Sequence, residues 1–162
     1  MSDDSVEKVT IVQAETDETI AIAKELFLEY AVSLGFDLCF QNFDRELAGL
    51  PGDYAPPSGR LLVAFEKGNA VGCVALRRLD AGVCEMKRLY VRPAHRGREL
   101  GRTLAERIVK EAREIGYEKI RLDAIRTMEP AVTLYKTIGF EEIAPYRVNP
   151  IEGAVYMELL LV

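Results

Sequence analysis

One segment of the chain places a strand pattern, a long helix pattern and a second strand pattern in direct succession. Residues 83–91 and 119–125 are rich in β-branched and apolar side chains, as strands are. Between them, residues 98–115 repeat apolar side chains at helical spacing, and Gly116 follows as a helix stop. Because a helix that joins two strands of one sheet returns the chain in its original direction, this segment predicts a parallel strand pair.

Antiparallel strands are predicted on the N-terminal side of this unit. Residues 60–66 and 70–77 are β-rich and flank the turn Lys67-Gly68-Asn69, so with 83–91 they predict an antiparallel meander. The other predicted elements are a strand over 9–13, a helix from Thr16 or Asp17 to Gly35, a short helix within 43–50, a loop over 51–59, a helix from Pro130 to Gly139, and closing strands over 140–144 and 155–161. The sequence therefore predicts a mixed α/β fold.

The composition is typical of one globular domain over residues 1–162, with 49% hydrophobic and 29% charged residues. Twenty-six acidic residues outweigh 21 lysines and arginines, for a formal net charge of -5. Because nucleic-acid binding needs a basic face, the acidic balance argues against a nucleic-acid partner.

Cysteine spacing and hydropathy limit the cofactors and the location. Cys39, Cys73 and Cys84 lack the spacing of a disulfide framework or a metal site, and His95 is the sole histidine, so no metal is expected. The first eight residues are polar and acidic, and no apolar run reaches membrane-spanning length. These features predict a cytoplasmic protein without a membrane partner.

The turn before the long helix is suited to a phosphate group. It contains Gly97 and Gly101 together with Arg96, Arg98 and Arg102. A helix N-terminus presents backbone N–H groups without intrahelical partners and the positive end of the helix dipole, which together bind phosphate. The turn therefore predicts a ligand that carries phosphate.

Two common nucleotide motifs fit this turn poorly. A P-loop requires lysine before its serine or threonine, whereas this chain has Gly101-Arg102-Thr103. A Rossmann turn requires three glycines, whereas this turn has only Gly97 and Gly101. The antiparallel strands ahead of the unit also argue against a doubly wound sheet.

A third pattern fits better. Arg96, Glu99, Leu100 and Gly101, preceded by Leu89-Tyr90-Val91-Arg92-Pro93, resemble the Arg/Gln-x-x-Gly-x-Gly/Ala signature of the GNAT superfamily of acetyl-CoA-dependent N-acetyltransferases. The segment Ala131-x-x-Leu134-Tyr135-x-x-x-Gly139-Phe140 is similar to the second acetyl-CoA element of that family. The resemblance implies a single GNAT-like domain: a mainly antiparallel mixed sheet, helices on both faces, and a splayed parallel strand pair at the centre.

The same resemblance implies acetyl-CoA as the cosubstrate. Its pantetheine arm would pair with the backbone of Leu89, Tyr90 and Val91, where N–H groups could also polarise the thioester carbonyl. The residues expected around the pyrophosphate are Arg96, Gly97, Arg98, Glu99, Leu100, Gly101, Arg102 and Thr103.

Two side chains are candidates for proton transfer. An alkylamine has a pKa of about 10.4, so it must lose a proton before it attacks a thioester, and Glu85 is the candidate base. Its alternatives are an ion pair with Lys87 or simple exposure. Tyr135 matches the tyrosine acid of the family and would protonate the leaving thiolate; its alternative is a core position on the stripe of Ala131, Leu134 and Ile138.

The chain departs from the family pattern at two positions. Glu99 stands where the family usually has glycine. Its N–H can still face a pyrophosphate if Glu99 adopts an ordinary helical φ with its carboxylate turned outward, whereas an inward carboxylate would repel the phosphates. Because Arg98 and Arg102 flank it, we expect weakened stringency rather than lost binding. Met128 stands near a position that is often asparagine in the family. These departures bear on cofactor binding and on one orienting hydrogen bond.

The predicted activity is direct transfer of an acetyl group to a primary amine of a small molecule or peptide. The alternatives are an acyl-CoA-binding regulatory module without turnover and an acyltransferase for longer chains. A homodimer is common where such a resemblance holds. Side chains that could wall the acceptor pocket are Phe40, Gln41, Asn42, Tyr54, Tyr146, Arg147 and Asn149, while Asp123 and Arg126 either shape the site or pair with each other, and His95 is expected at the surface.

Overall fold

A computed structural model describes residues 9–35 and 42–162 of the chain. The strands are β1 Val9–Gln13, β2 Arg60–Glu66, β3 Asn69–Asp80, β4 Val83–Val91, β5 Lys119–Ile125, β6 Glu141–Ile143 and β7 Ala154–Leu160. The α-helices are α1 Asp17–Leu34, α2 Phe43–Ala48, α3 Leu100–Ile115 and α4 Glu129–Ile138, with 3-10 turns at Gly52–Tyr54 and Pro93–His95. Cys39, Phe40 and Gln41 lie outside the described residues, and the prediction of one domain over 1–162 stays a prediction.

The strands form a single seven-stranded sheet in the order β1-β2-β3-β4-β5-β7-β6. Every neighbouring pair is antiparallel except β4 and β5, which are parallel. This parallel pair matches only Val83 with Lys119, Cys84 with Ile120 and Glu85 with Arg121. Both strands continue beyond these pairs without bonding to each other, so the predicted splay at the centre of the sheet is confirmed.

The first helix shows why the sequence places its ends so clearly. Thr16 is the N-cap, and its side chain and that of Thr19 form a reciprocal capping box at 3.1 Å. Gly35 ends the helix at a φ of 77°, where a side chain would be strained. Both ends agree with the predicted bounds.

Two apolar cores lie on opposite faces of the sheet. Neighbouring residues Leu61 and Leu62 belong to different cores because side chains alternate along a strand. Helices α3 and α4 cover one face, with Leu104 and Ile108 fully buried, and α1 and α2 cover the other, with Phe27 buried. The predicted placement of helices on both faces is confirmed.

Strand β4 contains a β-bulge that the sequence pattern did not indicate. Cys73 pairs with Tyr90, whereas Ala75 pairs with Lys87, so β4 uses one more residue than β3 over this interval. Arg88 lies within the bulge at a φ of 62°. The bulge lies where β4 separates from β5, and it therefore changes the direction of the strand beside the central opening.

Several element bounds differ from their predictions. Strand β3 begins at Asn69 and extends to Asp80, because its register with β4 continues past Arg77 through a second irregularity. Helix α3 begins at Leu100 because Glu99 is in the left-handed region. None of the helices in the described residues is long and apolar enough to cross a membrane.

Candidate active site

The opening between the splayed strands forms a cleft. Strands β4 and β5 form its two sides, and helices α1 and α4 contribute one face each. The lining residues are Tyr30, Leu34, Met86, Lys87, Arg88, Leu89, Asp123, Ala124, Ile125, Met128, Ala131, Tyr135, Asn149 and Ile151. The cleft therefore joins the predicted pantetheine strand to the predicted tyrosine acid.

Tyr135 reaches the cleft from α4 and is 8% exposed. Its ring packs edge-to-face on Phe140 at a centroid distance of 5.9 Å. Among the described residues, no group bonds its hydroxyl. Burial raises the pKa of Tyr135, and the charges of Tyr30 and Asp123 add to the effect. The side chain is thus a protonated phenol in an apolar wall.

Glu85 is fully buried beside the cleft, not on its surface. Arg77 donates from Nε to Oε1 at 3.0 Å, and its Nη2 forms an ion pair with the same oxygen at 2.9 Å. Tyr146 donates to Oε2 at 2.7 Å, and Arg147 also binds Oε2. Burial would raise the pKa of Glu85, but the charges of Lys87, Arg147 and Arg77 and the Tyr146 hydrogen bond hold it below its ordinary value.

Lys87 follows Glu85 on the same face of β4 and lines the cleft. It is 7% exposed. Burial lowers its pKa to about 8, against the opposing charge of Glu85, and the nearby charge of Arg88 lowers it further. A buried cation therefore lies at the entrance of the splay.

Asp123 lines the opposite side of the cleft on β5. Its Oδ2 accepts a hydrogen bond from Asn149 Nδ2 at 3.1 Å. The predicted alternative in which Asp123 pairs with Arg126 does not occur, since Arg126 binds Glu142 at 2.7 Å. The side chain shapes the cleft instead.

Arg88 fixes the bulge from the α1–α2 side. Glu46 accepts from its Nε and Nη2, both at 2.9 Å, and the guanidinium lies 5.8 Å from the ring centroid of Tyr30 and 5.2 Å from that of Phe43. The Arg88 side chain is 2% exposed. A charged pair this buried costs desolvation energy, so its role is to fix the local backbone rather than to add much stability.

The phosphate turn forms a second groove against α4. Its lining residues are Val91, Arg96, Gly97, Glu99, Leu100, Gly101, Arg102, Pro130, Thr133, Leu134 and Thr137. Arg96 donates from Nε to the Val91 carbonyl at 2.9 Å, and its guanidinium lies 5.7 Å from the Tyr90 ring centroid. The first helical bond of α3 runs from the Thr103 N–H to the Glu99 carbonyl at 3.0 Å. The N–H groups of Leu100, Gly101 and Arg102 precede it, as expected for a phosphate site.

Glu99 does not adopt the ordinary helical φ that was the condition for its N–H to face a pyrophosphate. Glu99 has a φ of 61° and a ψ of 20°, which is left-handed, not an ordinary helical conformation. Only glycine adopts this region without strain, which explains why a glycine suits this position. The side chain is exposed, as in the alternative with the carboxylate turned outward.

The remaining arginines of the turn contact protein carboxylates. Arg98 binds Glu66 on β2, and the His95 Nδ1 lies 3.2 Å from the same carboxylate. Arg102 donates to Glu106 at 2.9 Å and to the Thr137 hydroxyl at 3.1 Å. Arg102 thus stays at the groove rim, whereas Arg98 points towards β2.

The acceptor-side predictions divide into two groups. Tyr146 and Arg147 contact Glu85, and Asn149 contacts Asp123, so that all three lie beside the cleft, and their role as acceptor walls stays a prediction. Asn42 and Tyr54 instead line a separate pocket with Arg77 near α2.

Sequence reasoning missed Arg77, Arg88 and Glu46 as site residues. A signal existed for one of them. Glu85, Lys87 and Arg88 form a dense group of charges within an otherwise apolar strand, and a charged residue in a buried strand indicates a special environment.

The fold is shared with solved acetyltransferase structures. An acetyltransferase of Streptococcus agalactiae matches with a TM-score of 0.79 at 22% identity, over 94% of this chain and 98% of its own. The yncA protein of Salmonella typhimurium, solved with its cofactor acetyl-CoA, matches with a TM-score of 0.68 at 24% identity, over 96% and 95% of the two chains. The chain therefore shares the fold of these structures.

Sequence comparison identifies the family. The family described as Acetyltransferase (GNAT) matches residues 20–140. An uncharacterized N-acetyltransferase of Schizosaccharomyces pombe is 49% identical over 138 residues, which cover 84% of this chain and 85% of the relative. The chain belongs to the GNAT acetyltransferase family and is an acyltransferase. The resemblance inferred from the two motifs is confirmed, and the enzyme is favoured over a module that binds without turnover.

Proposed function

We propose that the protein transfers an acetyl group from acetyl-CoA directly to a primary amine of a small molecule or peptide. The observation that supports this most is the position of Tyr135, which faces the β4–β5 cleft from the same helix that borders the phosphate groove. The phosphate groove and the cleft both lie along α4 and β4, which suits a ligand with a pyrophosphate at one end and a thioester at the other.

The cofactor would follow the two grooves. The pyrophosphate lies at the N-terminus of α3, where Arg96 and the helix dipole meet it. The pantetheine arm pairs with the backbone of Leu89, Tyr90 and Val91 beyond the bulge, as an added strand does. The residues described contain no group of three or more metal-ligating side chains, and this mechanism uses none.

Tyr135 completes the transfer as the acid. The amine nitrogen attacks the thioester carbon, the new C–N bond forms, and the C–S bond breaks to release the CoA thiolate. Burial holds the Tyr135 phenol in the protonated state, so it can donate to the sulfur as the thiolate departs. Because a thiol, with a pKa of about 8.5, is a stronger acid than a phenol, the donation is balanced by the proton that the attacking nitrogen loses to Tyr135 as the amide forms.

The direct role of Glu85 as the base that deprotonates the amine stays a prediction. Its carboxylate is enclosed by Arg77, Arg147 and Tyr146 and does not line the cleft. We propose that it holds the loop with Tyr146 and Arg147 against the sheet, which positions the acceptor wall. Replacing Glu85 by Gln should then raise the KM for the acceptor by a larger factor than it lowers kcat.

The test compares Tyr135→Phe with Tyr117→Phe on a panel of amino acids, polyamines and peptides with free amino termini. Thiol release measures transfer, and calorimetry measures CoA affinity. Tyr135→Phe should lower kcat about 10²-fold or more while CoA affinity stays the same. Tyr117 donates its hydroxyl to the Ser58 carbonyl at 2.6 Å outside the cleft, so Tyr117→Phe should lower stability and spare kcat.

Other results would change the proposal. Full activity of Tyr135→Phe would remove the acid role. Tight CoA binding without turnover on any amine would favour the regulatory module, and faster turnover with longer acyl-CoA would favour a different acyl group. A homodimer and a cytoplasmic location are further parts of the proposal, tested by light scattering and by cell fractionation.

A further inference from the structure

Two carboxylates lie near the splay, and their surroundings differ. Glu85 is the last β4 residue paired with β5, opposite Arg121. Asp123 is two residues further along β5, level with Lys87 on β4. Because side chains alternate along a strand, Asp123 points to the same sheet face as Arg121, the face opposite the α3–α4 core that holds Leu122.

Of these two carboxylates, Asp123 alone belongs to a residue that lines the cleft. Within the described residues it accepts one hydrogen bond, on Oδ2 from Asn149, and takes part in no ion pair. It is half-buried and shares the cleft lining with Tyr135. Glu85, by contrast, has both oxygens occupied by arginine and tyrosine donors and is fully buried.

The charge of Asp123 acts on groups from every element around the cleft. It raises the pKa of Tyr135 and Tyr30 after the larger effect of burial, and it partly opposes the lowering by burial of the pKa of Lys87. The titratable and charged groups that face it are Lys87 and Arg88 on β4, Tyr30 on α1, Tyr135 on α4, Tyr156 on β7, and Tyr146 and Arg147 on the connection to β7.

We propose that Asp123 binds the amine acceptor and acts as the base. Its Oδ1, the oxygen that Asn149 does not bond, binds the acceptor ammonium and takes the proton that the amine must lose. This proposal rests on the proposed function and moves the base from the buried Glu85 to a group that can touch the substrate. It also implies that the acceptor enters as a cation, such as an alkylamine or an amino-terminal amine.

The proton balance is complete with Asp123 and Tyr135. Asp123 takes one proton from the ammonium and later releases it to solvent. The neutral nitrogen attacks the thioester, and Tyr135 protonates the leaving CoA thiolate. The nitrogen loses its second proton as the amide forms, and that proton restores the Tyr135 phenol. The cations Lys87 and Arg88 beside the site favour loss of the ammonium proton, since like charges disfavour the charged form.

The test measures kcat/KM against pH for the wild type and for Asp123→Asn, Glu85→Gln and Asp80→Asn, with the panel amine of highest turnover. Asp80 is an exposed carboxylate at the end of β3 and serves as the matched control. At pH 7, kcat/KM of Asp123→Asn should be about 10²–10⁴-fold below the wild-type value. The difference should shrink as pH approaches the amine pKa of about 10.4, because the neutral amine then needs no base. Glu85→Gln should lose less, by a factor that does not change with pH.

The outcomes separate this proposal from the proposed function. Suppose that the wild type turns over. The role of Asp123 alone is then overturned if kcat/KM of Asp123→Asn at pH 7 is within about tenfold of the wild-type value, or if its loss is equal at every pH. A pH-dependent recovery in Glu85→Gln instead returns the base to Glu85. If the wild type turns over no amine, both the proposed function and the role of Asp123 are overturned. If Asp123→Asn fails to bind CoA, Asp123→Glu is measured instead. The proposal stands only if this variant keeps the wild-type dependence of kcat/KM on pH.

Discussion

Both carboxylate oxygens of Glu46 bind the guanidinium of Arg88, each at 2.9 Å. This pair joins α2 to the only residue of β4 with a positive φ. The bulge, and with it the direction of the backbone at the splay, thus depends on a contact between residues 42 positions apart in the sequence.

Replacing Glu46 by Gln should destabilise the protein by about 3 kcal/mol, because it removes the carboxylate partner of a buried guanidinium. Urea unfolding measures the change. Glu142→Gln is the matched control: Glu142 pairs with Arg126 at the surface, and losing that pair should cost about 1 kcal/mol or less. Equal effects of the two variants would show that the Arg88 pair does not fix the bulge.

Replacing Glu99 by Gly should stabilise the protein by about 1 kcal/mol, since glycine adopts the left-handed φ of 61° without strain. The affinity for CoA should also rise, because a carboxylate leaves the rim of the phosphate groove. Thermal unfolding and calorimetry measure the two effects. Lys110→Gly, at an exposed position inside α3, should instead cost about 1 kcal/mol. Destabilisation by Glu99→Gly would contradict the strain at Glu99.

Glu85 should make stability depend on pH. Its pKa in the folded protein is below the ordinary value of 4.5, so its contribution is present above that pH and is lost as pH falls through the folded value. Between neutral pH and acid, the wild type should therefore lose more unfolding free energy than Glu85→Gln. Urea unfolding at a series of pH values measures this slope, and parallel slopes would contradict the lowered pKa.

Replacing Arg96 by Ala should raise KM for acetyl-CoA about tenfold and leave kcat nearly unchanged. A hydrogen bond to a charged group contributes about 1.5–3 kcal/mol, and Arg96 also bonds the carbonyl of Val91, which is one of the residues expected to pair with pantetheine. Steady-state kinetics at saturating amine measure both constants. Arg113→Ala removes an exposed arginine near the far end of α3 and should change neither. A kcat effect larger than the KM effect would place Arg96 in the chemical step.

Local patterns made much of the fold predictable. The capping residues Thr16 and Gly35 and the apolar stripe with Leu104 and Ile108 fixed α1 and α3 within a few residues. The β4–α3–β5 succession implied the parallel pair, and the two motifs implied the family. Each of these features depends on neighbours in the chain, which is why sequence reasoning reached them.

The contacts of the candidate site were harder to predict from the sequence. The prediction for Glu85 weighed Lys87 on its own strand, yet its carboxylate binds Arg77 on β3 and Tyr146 and Arg147 on the segment before β7. The left-handed φ of Glu99 was missed because glutamate does not indicate it, although the glycine usual at this position in the family is a signal for a positive φ.

The sequence by itself determined the order of elements, the phosphate turn before α3 and the tyrosine on α4, because short-range spacing encodes them. Only the tertiary structure decided which carboxylate faces the cleft. The separation of β4 from β5 after Glu85 leaves Asp123 at the opening, while Arg77 on β3 and the distant Tyr146 and Arg147 enclose Glu85. Burial and pairing of a charge depend on long-range packing, and spacing along one chain does not encode them.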